Sequence, residues 1–149
     1  MRIRQIEAKD RQAWAQMRAA LWPDEDPDKL AHETLTHFGS GKPSQMVFVA
    51  ETTNGALIGM LELSMRASAV GCSSSPVPFV EGWYVAAEMR SQGVGRKLME
   101  AAERWALTRG FKEIASDTQL ANGASQDAHA ALGFEETERL VCFRKTLRA

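Results

Sequence analysis

The sequence predicts an α/β fold in which a mixed, mostly antiparallel sheet is flanked by helices. Two observations predict it. Apolar residues recur at helical spacing in some segments and form alternating or continuous apolar runs in others, and turn residues separate the two kinds of segment. The predicted order of elements is β-α-α-β-β-β-α-β-α-β. Because 149 residues can bury a sizeable core, we expect one domain over residues 1–149.

The first elements are predicted to be a strand and two helices. "RIRQI" is typical of a short strand. Asp10 is expected to cap a helix that runs to about Leu21, because apolar residues follow it in helical register. Asp28 is expected to cap a second helix over residues 29–38, and "GSGKPS" then forms a loop.

Three strands are predicted in the middle of the chain. "MVFVAE" and "ALIGMLELSM" flank an Asn-Gly pair, which favours a tight hairpin. "PFVEGWYV" predicts a third strand, in which alternation places Phe79, Glu81, Trp83 and Val85 on one face. Gly82 indicates a bulge or a close backbone approach in that strand.

The last part of the chain is predicted to alternate between strands and helices. A helix is expected over residues 95–109, ended by Gly110. "KEIASD" predicts a strand, "NGASQDAHAAL" a short helix, and "LVCFRKTL" a final strand.

Charge and composition narrow the class of protein. The formal net charge is −1 and the pI about 6.3, so the chain lacks the broad basic surface of a nucleic-acid-binding domain. No apolar run approaches the length of a membrane span, and the N-terminus is too charged for a signal peptide. Cys72 and Cys142 form no CxxC pair, which fits a reducing compartment. We therefore expect a cytoplasmic protein.

The stretch "RSQGVGRKL" at residues 90–98 places two glycines at the start of a predicted helix. It lacks the third glycine of a dinucleotide fingerprint and the lysine of a P-loop. A helix N-terminus offers unpaired N–H groups and a positive dipole end, and glycine lets a phosphate approach that backbone. Arg90, Arg96 and Lys97 can add positive charge. An ordinary strand-to-helix turn with a capping glycine is the alternative interpretation.

Two carboxylates stand out by position. Glu81 lies between Phe79 and Trp83 on an otherwise apolar strand face, where an unpaired carboxylate is unfavourable. Asp117 ends its predicted strand, and open α/β sheets bind ligands at that end. The runs "DEDPD" and "EETE" are more typical of solvated faces.

A strand ending in "WYV" and followed by "RSQGVG" at a helix start resembles the R/Q-x-x-G-x-G/A motif of the GNAT superfamily of N-acetyltransferases. "HAALGF" matches the superfamily's motif near the thiol end of the cofactor. The resemblance implies the GNAT acyl-CoA N-acyltransferase fold. It also implies acetyl-CoA as co-substrate, held through its pyrophosphate by the backbone amides of the glycine loop. No metal is expected, because His32, His37 and His129 have no ligand spacing.

Four further blocks, "LWPDED", "SSPVPFVEGWYV", "ASDT" and "ALGFEETERLVCFRK", resemble the aminoglycoside 6'-N-acetyltransferases. This resemblance implies direct transfer of acetyl, in a ternary complex, to the 6'-amine of an aminoglycoside, and hence antibiotic resistance. It implies a homodimer that can exchange its C-terminal strands between subunits. The net charge and the lack of a long apolar run predict neither a nucleic-acid nor a membrane partner.

The same resemblance assigns site residues. The predicted catalytic residue is Asp117, as the base or the group that orients it. The predicted substrate contacts are Trp22, Glu81, Asp117 and Glu138. The predicted cofactor contacts are the backbones of Trp83, Tyr84 and Val85, the turn residues Ser91, Gln92, Gly93, Val94, Gly95 and Arg96, and Asn122. His129 stands where many superfamily members place a tyrosine as thiolate proton donor, and Ser68 lies near the position where relatives often carry an aromatic residue.

Three alternatives stay open at this point. The first is a GNAT enzyme for another amine, such as a polyamine, another small amine or a protein N-terminus. The second is a catalytically silent module that binds acetyl-CoA. The third is a nucleic-acid-binding domain that uses the basic loop, which the net charge and the single tyrosine disfavour.

Overall fold

The computed structural model describes residues 1–39 and 45–148 of the chain. It divides into two compact units, Met1–Ser116 and Asp117–Ala149, each described by itself below. Most of the predicted "GSGKPS" loop lies outside the described residues. Within those two ranges, no helix is both long enough and apolar enough to cross a membrane.

The first unit is built on a mixed five-stranded sheet. Its strands are β1 (Arg2–Gln5), β2 (Gln45–Glu51), β3 (Leu57–Arg66), β4 (Val77–Val85) and β5 (Ala115–Ser116). They lie side by side in chain order; the first three pairings are antiparallel, whereas β4 and β5 are parallel. The predicted fold class is therefore confirmed, although the strand predicted from "KEIASD" is shortened to two residues.

Three helices complete this unit: α1 (Arg11–Leu21), α2 (Pro27–Gly39) and α3 (Val94–Thr108). Trp14 and Met17 of α1 form one core cluster with Val47, Val49 and Met60 of the sheet. Burial of each large apolar side chain contributes about 1.5–3 kcal/mol, so this cluster is a main source of the unit's stability.

The two predicted helix caps are both wrong in detail. Asp10 precedes α1 but makes no side-chain cap bond, because its carboxylate binds the guanidinium of Arg4 at 2.7 and 3.0 Å. That hydrogen bond also lowers the pKa of Asp10. The second helix begins at Pro27, a residue suited to a first helical position. Asp26, rather than Asp28, supplies the carboxylate, which accepts the backbone N–H of Asp28 at 3.0 Å.

A β-bulge in β4 confirms the prediction made from Gly82. Glu62 of β3 lies opposite Gly82, and the next residue, Leu63, lies opposite Val80. Glu81 is therefore the extra residue of the bulge, and no residue of β3 lies opposite it in the strand register. The bulge lies at the point where β5 stops pairing with β4, since Val80 pairs with Ser116.

The same bulge makes the predicted alternation wrong beyond Glu81. Phe79 lies opposite Ser64, whereas Trp83 lies opposite Leu61. Ser64 and Leu61 are three residues apart on β3, so they point to opposite faces of the sheet. Trp83 and Val85 consequently face away from the side that carries Phe79.

The second unit contains one helix, α4 (Gly123–Ala131). Asn122 caps it, because its side-chain oxygen accepts the backbone N–H of Ser125 at 3.1 Å. The strand predicted from "LVCFRKTL" is wrong: residues 140–147 are exposed and form neither a strand nor a helix. A segment of high strand propensity forms a strand only where a neighbouring strand pairs with its backbone, and the described residues provide none.

Candidate active site

The far edge of β4 is open beyond the bulge. Among the described residues, β5 pairs only with Phe79 and Val80. The backbone N–H of Ala86 donates to the carbonyl of Ile58 in β3 at 2.9 Å, so Ala86 and Ile58 are a hydrogen-bonded pair. Antiparallel pairs alternate, so the backbone groups of Trp83 and Val85 point away from β3.

These directions bear on the predicted cofactor contacts. The N–H of Val85 lies along a part of this edge where no strand pairs among the described residues, so a ligand's carbonyl group can bind it. The backbone groups of Tyr84 face β3 instead. Of the three residues predicted to contact the cofactor through their backbone, Trp83 and Val85 direct those groups away from β3 and Tyr84 directs them toward it, and all three contacts stay predictions.

The turn before α3 exposes a helix N-terminus. Ser91 and Gly93 have φ values of +62° and +84°, in the left-handed region that glycine adopts most readily. Gly93 is the N-cap residue and no side chain caps the helix. The first backbone N–H to bond within the helix is that of Lys97, which donates to Gly93 at 3.1 Å. The three N–H groups before it belong to the unpaired first turn.

The charges around this turn favour an anion. No acidic residue lies in the first turn of α3, although acidic residues are usually favourable at that position. The side chains of Arg90, Arg96 and Lys97 are exposed there. Arg90 also fixes the turn to the end of β4, because its Nε donates to the Val85 carbonyl at 2.9 Å. The positive charges and the N–H groups of this helix start together favour the binding of a phosphate group.

The second glycine of the motif has a packing role. An added Cβ on Gly95 would lie 3.3 Å from the Trp83 ring, and the Trp83 indole N–H donates to the Gly95 carbonyl at 3.1 Å. Gly95 therefore lets α3 pack closely on β4. The strand-to-helix turn and the anion-binding interpretation both fit the motif, and each uses a different glycine.

Glu81 is paired with residues that the sequence analysis did not select. Arg66 donates from Nε and Nη2 to the two Glu81 oxygens at 2.9 and 2.8 Å, and Ser64 donates its hydroxyl proton to the same carboxylate. Burial alone raises the pKa of Glu81, but these hydrogen bonds outweigh burial and hold that pKa below its usual value. The register of β3 and β4 would have predicted both partners, because Ser64 and Arg66 are two residues apart on β3 and therefore share one face of the sheet.

Trp22 lies at the C-terminal end of α1, half-buried, and contacts the bulge. Its ring carbons lie 2.9 and 3.0 Å from where a Cβ on Gly82 would be. The Arg18 guanidinium lies over the Trp22 ring, 5.1 Å from its centroid. The structure thus brings the predicted substrate aromatic next to the strand position that follows Glu81.

We expect Gly82→Ala to destabilise the protein by roughly 1–3 kcal/mol, because the new methyl group would overlap the Trp22 ring. Chemical denaturation followed by tryptophan fluorescence would measure the change. Gly39→Ala is the control, since a Cβ there meets nothing within 4 Å. Equal unfolding midpoints for the two variants would contradict the close approach of Trp22.

A buried ion pair between Arg18 and Glu62 lies next to Trp22. Glu62 is 0% exposed and Arg18 4% exposed. Arg18 Nε and the Trp14 indole N–H both donate to Glu62 Oε2 at 2.9 Å, and Arg18 Nη1 donates to the Leu30 carbonyl at 3.0 Å. Burial raises the pKa of Glu62, and the contacts with Arg18 and Trp14 offset part of that rise. The only sequence signal for this pair was an acid inside the apolar run "ALIGMLELSM".

The remaining predicted site residues lie in the second unit. Asp117 is its first residue and is exposed, directly after β5. Asn122 is exposed while capping α4. His129 Nδ1 lies 2.7 Å from the Ser125 carbonyl, and its ring meets the Phe134 ring edge-on at 5.1 Å. Glu138 is exposed.

Cysteine and metal chemistry give no further site. Cys72 and Cys142 are both free thiols. Burial raises the pKa of Cys72, so this thiol is less readily ionised than an ordinary one. Over residues 1–39 and 45–148, no three His, Cys, Asp or Glu side chains form a group that could hold a metal ion.

Comparison with known proteins identifies the class to which this fold and this glycine turn belong. The family model described as "Acetyltransferase (GNAT) family" matches residues 7–134. The chain therefore belongs to the GNAT family of acetyltransferases. The confirmed fold and the uncapped start of α3 agree with that membership.

More specific relatives narrow this class. An aminoglycoside N(6')-acetyltransferase type 1 from Klebsiella aerogenes is 46% identical over 97% of this chain and 96% of its own length. One from Serratia marcescens is 44% identical over 91% of this chain and 92% of its own. A solved structure of AAC(6')-Iy with the bisubstrate analog CoA-S-monomethyl-acetylneamine has a TM-score of 0.88, 37% identity and 98% coverage of each chain. Within the GNAT family, the chain thus belongs with the type 1 aminoglycoside 6'-N-acetyltransferases.

Proposed function

We propose that this protein transfers the acetyl group of acetyl-CoA to the 6'-amine of aminoglycoside antibiotics and so confers resistance to them. The observation that carries the proposal is the full-length similarity to relatives of that name. The structural neighbour with a joined CoA and aminoglycoside analog supports a site that holds both substrates at once. Direct transfer in a ternary complex follows from such a site.

Acetyl-CoA would bind at the start of α3 and along the open edge of β4. The unpaired N–H groups of Val94, Gly95 and Arg96, preceded by the turn of Ser91, Gln92 and Gly93, would hold its pyrophosphate. The outward N–H of Val85 would donate to the thioester oxygen, which becomes an oxyanion during attack. Asn122 would contact the cofactor from the start of α4.

The aminoglycoside is a polycation, so we assign its ammonium groups to carboxylates. Val80 and Ser116 are partners in the parallel pair of β4 and β5. Glu81 and Asp117 are the first residues after these partners, and the similarity to aminoglycoside N(6')-acetyltransferases supports a substrate role for each. Trp22 would contact a sugar ring, and Glu138 would add a further carboxylate. Charge-assisted hydrogen bonds of this kind are stronger than neutral ones.

The chemical step needs a neutral amine. An alkyl amine has a pKa of roughly 10, so about one molecule in a thousand is neutral at pH 7, a deficit of about 4 kcal/mol. Carboxylates that bind the ammonium raise its pKa and oppose deprotonation. We assign Asp117 to accept this proton, directly or through a water that it orients. The amine nitrogen then attacks the thioester carbon, the C–S bond breaks, and the CoA thiolate takes up a proton.

Two further positions concern the protonation of the thiolate and the contact with the sugar ring: His129 and Ser68. His129 is our candidate donor, and the Ser125 carbonyl beside its Nδ1 fixes the orientation of its ring. Ser68 lies where relatives often carry an aromatic residue, so we expect weaker contact with the sugar at this position. This difference concerns drug range rather than reaction type.

We also propose a homodimer that works in the cytoplasm. The C-terminal segment, residues 140–147, exposes large apolar side chains: Leu140 at 57%, Val141 at 73%, Phe143 at 92% and Leu147 at 82%. Pairing with a second copy would supply the strand partner that this segment lacks among the described residues. A reducing compartment suits the two free cysteines. Sedimentation velocity of the full chain against a chain ending at residue 139 tests the dimer.

The function is tested by thiol release from acetyl-CoA with purified protein. Tobramycin and kanamycin would be compared with their 6'-hydroxyl analogues, and spermidine would be run alongside. We expect turnover only with drugs that carry a 6'-amine. Turnover on spermidine alone would replace the aminoglycoside by a polyamine. Tight acetyl-CoA binding without turnover on any amine would indicate a silent module instead.

A further inference from the structure

The Glu81 carboxylate is already neutralised by the protein. Arg66 binds both of its oxygens with a two-pronged, charge-assisted contact, and the Ser64 hydroxyl donates to the same group. A substrate ammonium that approaches Glu81 therefore meets a carboxylate with a cation in place. Two cations held at one carboxylate would repel each other, which favours exchange over sharing.

Arg66 is positioned so that it can leave this carboxylate. It is the last residue of β3, and its side chain is 43% exposed, against 25% for Glu81. Its guanidinium rests on the Phe79 ring, 3.5 Å from the ring centroid. Exposed ion pairs add little net stability, so a small number of new contacts can replace this one. Ser64 would still orient Glu81 after Arg66 has moved into solvent.

We infer that Arg66 sets the substrate affinity of the site, because it competes with the ammonium groups of the substrate for Glu81. This inference rests on the proposed function, because it takes Glu81 as a substrate contact. A polycation replaces the lost ion pair and gains contacts at other carboxylates. A singly charged amine gains one ion pair with Glu81, and the protein loses the ion pair between Arg66 and Glu81. Arg66 thereby raises KM for every amine that uses Glu81, and a substrate keeps a low KM only through its contacts at other carboxylates.

The direct test is Arg66→Ala, with the dissociation constant of tobramycin measured by calorimetry and KM and kcat measured by thiol release. We expect dissociation constant and KM to fall about three- to tenfold, with kcat changed by less than about twofold. Arg66→Lys should give a smaller gain, because lysine keeps the charge but lacks the planar fork. Arg2→Ala is the matched control: Arg2 lies on the edge strand β1, two strands away from β3, and is an exposed arginine paired with Glu51 of β2.

A double-mutant cycle separates competition from a general charge effect. In a Glu81→Gln background, Arg66→Ala should give no further tightening. A gain that persists in that background, or an equal gain from Arg2→Ala, would overturn the inference. So would weaker binding in Arg66→Ala, which would make Arg66 a support for Glu81. Tighter binding without acetyl transfer would keep the inference and reject the proposed function, whereas transfer with unchanged binding would do the reverse.

Discussion

Arg18→Ala is expected to lower the free energy of unfolding by about 3–5 kcal/mol, because it leaves the buried Glu62 carboxylate without its cation. Glu62 is 0% exposed, and of the donors that bind it within residues 1–39 and 45–148 the variant keeps only the Trp14 indole N–H. Native domains are stable by about 5–15 kcal/mol in total, so a loss of this size brings the protein close to unfolding. Denaturation by urea, followed by far-UV circular dichroism, would measure it.

Two variants show whether the loss arises from an unpaired buried charge. Arg139→Ala also breaks an ion pair, but both partners are more than half exposed, so we expect a change below about 1 kcal/mol. Arg18→Met with Glu62→Gln removes both charges and leaves an acceptor for Trp14. It should recover a large part of the stability, because no buried charge is left unpaired. A double variant as unstable as Arg18→Ala would show that packing around Arg18, and not its charge, stabilises this region.

The sequence predicted the fold well where local signals and sheet pairing agree. The hairpin of β2 and β3 formed as the Asn-Gly pair indicated, and the glycine turn opened α3 within one residue of the expected start. Gly82 also marked a real bulge and a real close approach. In each case a residue type with few allowed conformations fixes the local backbone, so its meaning does not depend on distant parts of the chain.

The failures have a common physical cause: each depends on an interaction between different elements of the fold. Asp10 did not cap α1 because Arg4 binds its carboxylate. The alternation along β4 changed face because one extra residue, Glu81, sits at the bulge. Residues 140–147 have strand propensity but no strand beside them among the described residues. Neither propensity nor periodicity carries information about such partners.

The candidate site was predicted unevenly for the same reason. The cofactor side could be predicted from a short motif, since "RSQGVG" specifies a turn and a helix start by itself. Glu81 was selected because a carboxylate on an apolar strand needs a partner. That partner, Arg66, lies fifteen residues earlier on the neighbouring strand. The interaction that distinguishes this site from a simple acidic pocket was thus accessible only through the register of β3 and β4.

Asp117→Asn is expected to lower kcat by about 100- to 10,000-fold, the range typical of a lost general base. Asparagine keeps the size of the side chain and one acceptor oxygen but cannot take a proton. Binding of the drug should weaken much less than kcat falls, because the other carboxylates still hold its ammonium groups. Single-turnover kinetics with saturating drug and acetyl-CoA would separate the chemical step from binding.

The pH dependence of this variant distinguishes two orders of proton transfer. If Asp117 removes the ammonium proton before attack, its loss matters less as pH rises toward the amine's pKa of roughly 10, where the amine is neutral without help. The ratio of wild-type to variant kcat should then shrink with increasing pH. If the proton leaves only after attack, that ratio should not shrink as pH rises, because a neutral amine does not replace a base that acts on the tetrahedral intermediate. Asp127→Asn, an exposed aspartate on α4, carries the same substitution in the same unit and should leave kcat unchanged. Near-normal turnover of Asp117→Asn across the whole pH range would remove Asp117 from the chemistry and leave it, at most, as one of the carboxylates that bind the drug.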